Sequence, residues 1–334
     1  MDRLDAAAHL GKDFLEMNPQ LKGSLAGMLS AACYGSSPIL ALLLYRYGFD
    51  AANALVYRYG CALVLLLPLL LVKRQKLGLP FKDLKCLALP GICFALSTLF
   101  YFISFNYMNA GISATILFLY PIFTALIMVL VYHEKLSLSM ILAIALSFAG
   151  VAMLHGAEEG GMSLIGTILA IASAFTYALY IVGINRTHIM ITNEKLTFYL
   201  IVFSVAISAL YIALAPSLNF MVPHVPQEYG LIIILGLVPT IFSLVLLNIA
   251  VEHIGSTMTA VLGALEPVTA LALSVLIFHE ALTFNLVMGI VLILCGVLIV
   301  IGGRRFRATK YRVIIKRLNQ VIYRSMHRRW RWKS

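Results

Sequence analysis

Apolar residues run in blocks along this chain instead of alternating with polar ones, and each block is close to the length that crosses a bilayer. A helix needs roughly 20 apolar residues to cover about 30 Å of hydrocarbon. Ten stretches meet that measure: 24–45, 51–72, 86–105, 111–131, 137–155, 163–183, 196–215, 229–250, 255–277 and 283–302. Polar positions gather between them in loops too short to fold alone. The longest, 216–228 (PSLNFMVPHVPQE), is proline-rich and lacks Lys and Arg. The pattern predicts an all-α membrane protein of ten transmembrane helices with no attached soluble catalytic domain. The opening residues, MDRLDAAAHLGKDFLEMNPQ, mix charges and hold no apolar core with a cleavage site, so they do not read as a signal peptide.

Composition points the same way. Of 334 residues, 61% are apolar and 12% charged, against roughly 45–50% and about 25% in soluble domains. That balance excludes an ordinary soluble enzyme, a disordered chain, a collagen and a disulfide-stapled secreted domain. Cys33, Cys61, Cys86, Cys93 and Cys295 lie in or beside apolar runs, form no CxxC pair, and read as small packing residues. The eight histidines form no HxxxH or HxxH repeat. A metal needs convergent ligands, so no metal site is expected. No catalytic residue and no cofactor is expected either, and without a Walker A pattern ATP does not drive the protein directly.

Charge fixes an orientation. With a cytoplasmic N-terminus, 23 of the 25 Lys and Arg fall in cytoplasmic segments, one (Arg46) in an outer loop and one (Arg58) within a span. Loops rich in Lys and Arg stay on the cytoplasmic side, so both termini are expected there. The net charge of +11 belongs to the tail: residues 304–334 hold twelve Lys or Arg and no acid, which leaves 13 bases against 14 acids in the rest. Ile314, Leu318, Val321 and Ile322 share one helical face of that tail, which reads as an amphipathic helix on the anionic inner leaflet. Nucleic-acid binding is the weaker reading of the same charges, and no nucleic-acid partner is expected.

The two halves repeat. SATILFLYPIFTALIMVLVYHEKLS (113–137) aligns without gaps on TAVLGALEPVTALALSVLIFHEALT (259–283) at an offset of 146, which also sets Gly150 on Gly296. GSLAGMLSAACYG (23–35) echoes GTILAIASAFTYA (166–178) at an offset of 143, matching Ser30 with Ser173 and Tyr34 with Tyr177. Each half holds five spans. Five is odd, so the second copy enters the membrane upside down, the arrangement of secondary transporters built from inverted repeats. The expected organisation is a cytoplasmic segment 1–21, repeats 22–155 and 163–302, and the basic tail 303–334.

On these residues the chain resembles the drug/metabolite transporter superfamily in its EamA-type branch. The resemblance spans about residues 22–302. It is carried by the two five-helix repeats, by YPIFTALIMVLVYHEKLS and EPVTALALSVLIFHEALT, by the paired SFAGVAML and LCGVLIV, and by the Arg-led YRYGCALVLLLPLLL. It implies a ten-helix carrier that exports small metabolites; it names no solute, because the family has no universal substrate motif.

Six prolines interrupt spans: Pro38, Pro68, Pro90, Pro121, Pro239 and Pro267. Each removes a backbone donor and frees a carbonyl. Pro121 and Pro267 occupy equivalent positions and are hinge candidates. Glu266, just before Pro267, stands near mid-bilayer, where an ionised side chain costs roughly 2.5–3.5 kcal/mol on insertion scales. Burial disfavours the charged form of a carboxyl, which makes Glu266 the candidate for carrying a proton or meeting an ammonium group. Tyr34, Ser97, Tyr101, Tyr120, Tyr177 and Asn248 complete the candidate substrate cavity, since a few convergent polar groups in an apolar pocket form the ordinary small-molecule site. Arg58 is a possible anion contact through its planar guanidinium, or else a structural arginine that snorkels or caps carbonyls. Glu134 and Glu280 end equivalent helices and read as tethers to neighbouring helix N-termini. Gly23, Gly27, Ala31 and Gly35 form a small-residue stripe for close helix packing.

The expected protein is a multi-pass secondary carrier of the plasma (inner) membrane. It moves a small organic solute, amino acid-like or drug-like, by alternating access, with proton coupling through Glu266, exchange or facilitation all open. A nucleotide-sugar or lipid-linked carrier of the same superfamily would need more basic residues in the cavity than Arg58 alone. An intramembrane enzyme would need clustered His or Asp ligands or an activated nucleophile.

Overall fold

A computed structural model describes residues 18–72, 78–133, 138–155, 163–187, 191–279 and 282–299. Residues 1–17, Glu134, Glu280 and the tail 303–334 lie outside them. The described elements are helical. In chain order they are α1 (Pro19–Tyr45), α2 (Ala51–Val72), α3 (Phe81–Ser104), α4 (Ala110–Leu130), α5 (Met140–Leu154), α6 (Leu164–Arg186), α7 (Asn193–Leu214), α8 (Pro226–Gly255), α9 (Leu265–Phe278) and α10 (Phe284–Ile299). Seven are long and apolar enough to cross a membrane; α5, α9 and α10 are shorter apolar helices. α9 is short because the helical run before it, 256–262, breaks at Gly263 and Ala264. The chain is thus a multi-pass membrane protein. Val64, Phe148, Leu164, Leu276 and Phe284 are each at least 70% exposed, side chains that suit contact with lipid and not with water.

Helix ends follow local chemistry. Asn18 caps α1 by accepting from the Gln20 N–H, and Asn109 caps α4 by accepting from Gly111 and Ile112 at 2.7 and 3.2 Å. Asp50 does the same for α2 through Ala52 and Asn53. Such side-chain oxygens satisfy donors that the first turn leaves free. Inside α8 the chain widens into a π-turn at Leu237–Phe242, around Pro239. A proline cannot donate to the preceding turn, and a π-turn re-sorts the hydrogen bonds around it.

The sequence repeat has a structural counterpart. α4 is interrupted at Phe118 and Leu119, and the equivalent break lies at Gly263 and Ala264. Both following helices end beside a histidine in the left-handed region, His133 (φ 53°) and His279 (φ 56°), one offset apart. α5 and α10 pack on each other through equivalent glycines. A Cβ on Gly150 would fall 2.7 Å from the Gly289 carbonyl oxygen, and one on Gly296 would fall 2.8 Å from the Ala143 carbonyl oxygen. Ala143 and Gly289 are themselves 146 residues apart, so the two contacts are mates.

The halves meet most closely where α1 lies along 243–262 and where α3 lies along α6. At each seam two serines exchange hydrogen bonds with the opposing backbone. Ser30 Oγ donates to the Ser243 carbonyl at 2.7 Å, and Ser243 Oγ to the Ser30 carbonyl at 3.2 Å. Ser97 Oγ donates to the Ser173 carbonyl at 2.9 Å, and Ser173 Oγ to the Ser97 carbonyl at 2.7 Å. Among apolar surroundings such bonds satisfy buried hydroxyls and draw the backbones together. The stripe of small residues on α1 serves the same seam, with Gly23 against His253 and Gly27 against Leu262.

Candidate functional site

Six helices surround a cavity of about 110 Å³ between the two halves. α1 contributes Ser30, Tyr34 and Gly35, α3 contributes Tyr101, and α6 contributes Tyr177. α8 supplies Ser243 and Leu247, and Glu266 comes from the first turn of α9. From α4 the wall takes Tyr120 and residues beside the break, Leu117 and Phe118. The breaks place Tyr120 and Glu266: each stands at the restart of its helix, just before Pro121 or Pro267. A helix restart needs no intrahelical partner for its first N–H groups, so proline is tolerated there and the kink is set by sequence.

The walls are aromatic and hydroxylated. The Tyr120 and Tyr177 rings meet edge to face with centroids 4.8 Å apart, and Phe118 packs on Tyr120 at 5.8 Å. Tyr101 meets Phe105 edge to face at 4.7 Å. Edge-to-face aromatic pairs fix ring orientation, which aims hydroxyls and ring faces at defined points of the cavity. Glu266 is the one carboxyl among the lining residues, which include no Lys or Arg. A carboxylate among tyrosine faces suits a cation: its charge and the negative ring faces attract an ammonium group together.

Tyr34, Tyr101, Tyr120, Tyr177 and Glu266, singled out from sequence, therefore share one cavity. Ser97 and Asn248 stand outside its lining: Ser97 is committed to the seam with Ser173, and Leu247, one residue before Asn248, is the α8 side chain that faces inward. Ser30, Ser243 and Leu247 are lining residues that sequence reasoning did not select. At offsets of 143 and 146 they are the mates of Ser173, Ser97 and Tyr101, so the repeat carried a signal for them.

Arg58 sits one layer behind the cavity. It is only 2% exposed, so it does not snorkel to an interface. Its Nη1 donates to Ser37 Oγ at 2.7 Å, Nε to Thr240 Oγ1 at 3.1 Å, and Nη2 to the Pro239 carbonyl at 3.5 Å. Its guanidinium carbon lies 5.7 Å from the Tyr34 ring centroid, 5.2 Å from Tyr59 and 5.5 Å from Phe102. Arg58 thus donates into the π-turn of α8, to Thr240 and the Pro239 carbonyl, and backs the cavity tyrosine of α1. Among the described residues no group of three or more His, Cys, Asp or Glu is placed to hold a metal ion.

The chain is similar to known proteins over nearly this whole architecture. The model of the EamA-like transporter family matches residues 21–155 and again 164–302. The uncharacterized transporter YcbK of Bacillus subtilis is 26% identical over 298 residues, which cover 86% of this chain and 94% of that protein. A probable amino-acid metabolite efflux pump of Salmonella typhimurium is 28% identical over 212 residues, 60% of this chain and 71% of the pump. One solved crystal structure superposes with a TM-score of 0.60 at 19% identity, covering 84% of this chain and 96% of its own, and so shares the fold.

Proposed function

We propose that this chain, which belongs to the EamA-like transporter family, is a secondary carrier that exports a small amine-bearing metabolite across the plasma membrane by alternating access. The observation that carries this reading is the cavity itself, with one carboxyl, Glu266, facing four tyrosines at the junction of the two halves. An amino acid-like or amine-bearing solute fits it, and the efflux pump among the relatives supports that class and direction. Glu266 binds either the solute ammonium or a proton, so the two compete and a proton gradient drives export. Tyr34, Tyr101, Tyr120 and Tyr177 hold the solute, while Pro121 and Pro267 let α4 and α9 bend.

In this reading all ten helices cross the membrane, residues 22–155 and 163–302 are inverted repeats, and both termini are cytoplasmic. The distribution of Lys and Arg supports the orientation, and the tail 303–334 lies on the anionic inner leaflet. A nucleotide-sugar or lipid-linked solute gains no support, because no Lys or Arg lines the cavity.

The experiment is flux in proteoliposomes, with a panel of labelled amino acids and amines at imposed and collapsed pH gradients. At least one solute is expected to move faster under the gradient. Glu266→Gln is expected to lose about tenfold or more of that flux, the scale of a lost charge-assisted contact. Wild-type, gradient-driven flux by Glu266→Gln overturns its role as binding and coupling group.

A further inference from the structure

Four of the cavity helices also border a second, wider space of about 550 Å³. It lies at the end of the bundle where α1, α3 and α9 finish and α4 begins. Tyr45 and Arg46 line it from the end of α1, and Phe105 and Asn106 from the end of α3. Ala110 adds the first residue of α4, and Phe278 the last of α9.

This vestibule is in line with the cavity. On α3, Tyr101 lines the cavity and Phe105 the vestibule, and their rings meet at 4.7 Å. On α4, Ala114 lines the cavity and Ala110, one turn earlier, the vestibule. The walls on α1 and α9 are longer. Arg46 stands eleven residues beyond Gly35 and Phe278 twelve beyond Glu266, about 16–18 Å at the helical rise. The space is thus a funnel with its floor one turn from the cavity and its rim at Arg46 and Phe278.

Its chemistry is the reverse of the cavity's. The cavity lining has a carboxyl and no base; the vestibule lining has Arg46 and no acid. The Arg46 guanidinium carbon lies 4.6 Å from the Phe278 ring centroid. Among the described residues its side chain makes no hydrogen bond or ion pair. A ring contact engages no N–H donor in a hydrogen bond with an oxygen, so the planar fork stays available to a carboxylate. Asn106 adds an amide donor. The Tyr45 hydroxyl is committed to the Phe102 carbonyl at 2.9 Å, so Tyr45 offers its ring, beside those of Phe105 and Phe278.

We propose that this vestibule is a second binding station, in which Arg46 and Asn106 take the carboxylate of a small organic solute while its apolar body rests on Phe105 and Phe278. The ammonium and carboxylate of one amino acid are adjacent and cannot reach Glu266 and Arg46 together. The stations are therefore occupied in turn, ammonium at Glu266 and carboxylate at Arg46, and the pair selects a zwitterionic solute over a simple amine. The inference rests on the carrier reading above, in which this end opens to the outside.

The test uses the full chain and two probes. N-acetylphenylalanine has the carboxylate without the ammonium; phenylalanine amide has the ammonium without the carboxylate. Binding of labelled N-acetylphenylalanine to the detergent-solubilised protein is expected to saturate and to weaken about threefold or more in Arg46→Gln, the scale of a pair open to solvent. Arg46→Lys should lose less, and added salt should weaken wild-type binding, as it screens exposed charges. Phenylalanine amide should not displace the probe. Equal binding by wild type and Arg46→Gln, indifference to salt, or displacement by phenylalanine amide overturns the station. Binding of phosphatidylglycerol in place of N-acetylphenylalanine would make the vestibule a lipid site and overturns it as well. Phenylalanine amide flux in proteoliposomes tests the cavity separately. A loss of that flux in Glu266→Gln, with no Arg46-dependent binding of N-acetylphenylalanine, overturns the vestibule station and leaves the cavity reading standing. Arg46-dependent binding beside flux indifferent to Glu266→Gln upholds the station and overturns the role of Glu266.

Discussion

Gly35 of α1 lies against the backbone of Glu266 so closely that a Cβ at Gly35 would fall 2.5 Å from the Glu266 carbonyl oxygen and 2.9 Å from the Thr269 Cβ. The first half of the chain thus meets the backbone of Glu266 with no side-chain carbon between them. Small residues permit this approach between helices in a membrane, and here it sets where the Glu266 side chain stands. α1 also breaks just after Gly35, at Ser36, whose hydroxyl donates to the Cys33 carbonyl at 2.6 Å.

Gly35→Ala is therefore expected to push α9 away from α1 and to cost about 1–3 kcal/mol, the range for overpacking a filled site. A melting series in detergent reads the loss of stability. Flux should fall further than the loss of folded protein accounts for, because the carboxyl moves with the backbone. Wild-type melting and flux would show that α1 and α9 yield without cost.

Tyr177 tests the ring against the hydroxyl. Its ring packs on Tyr120 at 4.8 Å and on Tyr180 at 5.4 Å. Tyr177→Ala removes both pairs, each worth about 0.5–1.5 kcal/mol beyond area burial. The apparent KM for the solute is expected to rise roughly tenfold, as one such step in binding energy requires. Tyr177→Phe keeps the rings and should stay within about threefold of wild type if cation–π contact dominates. An equal loss in the two variants would assign the contact to the hydroxyl.

Arg58→Lys separates charge from fork geometry. Lysine keeps the positive charge but presents one ammonium where the guanidinium reaches Ser37, Thr240 and the Pro239 carbonyl together. Leaving one of these buried groups unmet costs about 1–3 kcal/mol. Both Arg58→Lys and Arg58→Ala are expected to melt lower than wild type, with Ala the worse. A drop in solute affinity at unchanged melting temperature would move Arg58 from the supporting layer into the solute's own contacts.

The 216–225 loop hangs on Asn53. This fully buried amide donates to Asp50 Oδ2 and to the Asn219 carbonyl, and accepts from the Met221 N–H at 3.0 Å. Asn53→Ala leaves the Met221 N–H unpaired and frees the 216–225 loop from α2. Protease added to the side that the loop faces is expected to cut it several times faster in the variant, with a stability loss of about 1–3 kcal/mol. Unchanged cleavage would mean that the Tyr57 hydroxyl, which donates to the Met221 carbonyl at 2.6 Å, holds the loop alone.

Much of this was legible in the sequence because the bilayer imposes a length on every span and the repeat imposes a correspondence. Tyr120 and Glu266 could be recognised as mates beside mates Pro121 and Pro267 before any coordinates. Hydropathy does not say which face of a helix meets which neighbour, and that is where the reading stopped. Ser97 was selected for its hydroxyl, yet its partner is Ser173 on α6, a contact between sites 76 residues apart that no local pattern encodes. Asn248 and Leu247 differ by one residue, about 100° around a helix, and the apolar one faces the cavity. Arg58 near a span end allowed an interfacial position; only the widened turn at Pro239 shows what its fork is for.

Pro121 and Pro267 give the most direct test of how the cavity works. Each follows a residue that lines the cavity, and each prevents the chain from closing a regular hydrogen bond across the break. Pro121→Ala and Pro267→Ala restore the missing N–H, so α4 or α9 is expected to straighten and gain local stability. The solute contacts at Tyr120 and Glu266 remain, so the apparent KM should change little. Turnover should fall severalfold, because bending at the break is the motion the prolines keep easy. Combining the two changes is expected to slow turnover more than either alone, since the breaks serve opposite halves. A variant with wild-type kcat and a raised KM would place the prolines in solute positioning and not in the conformational step.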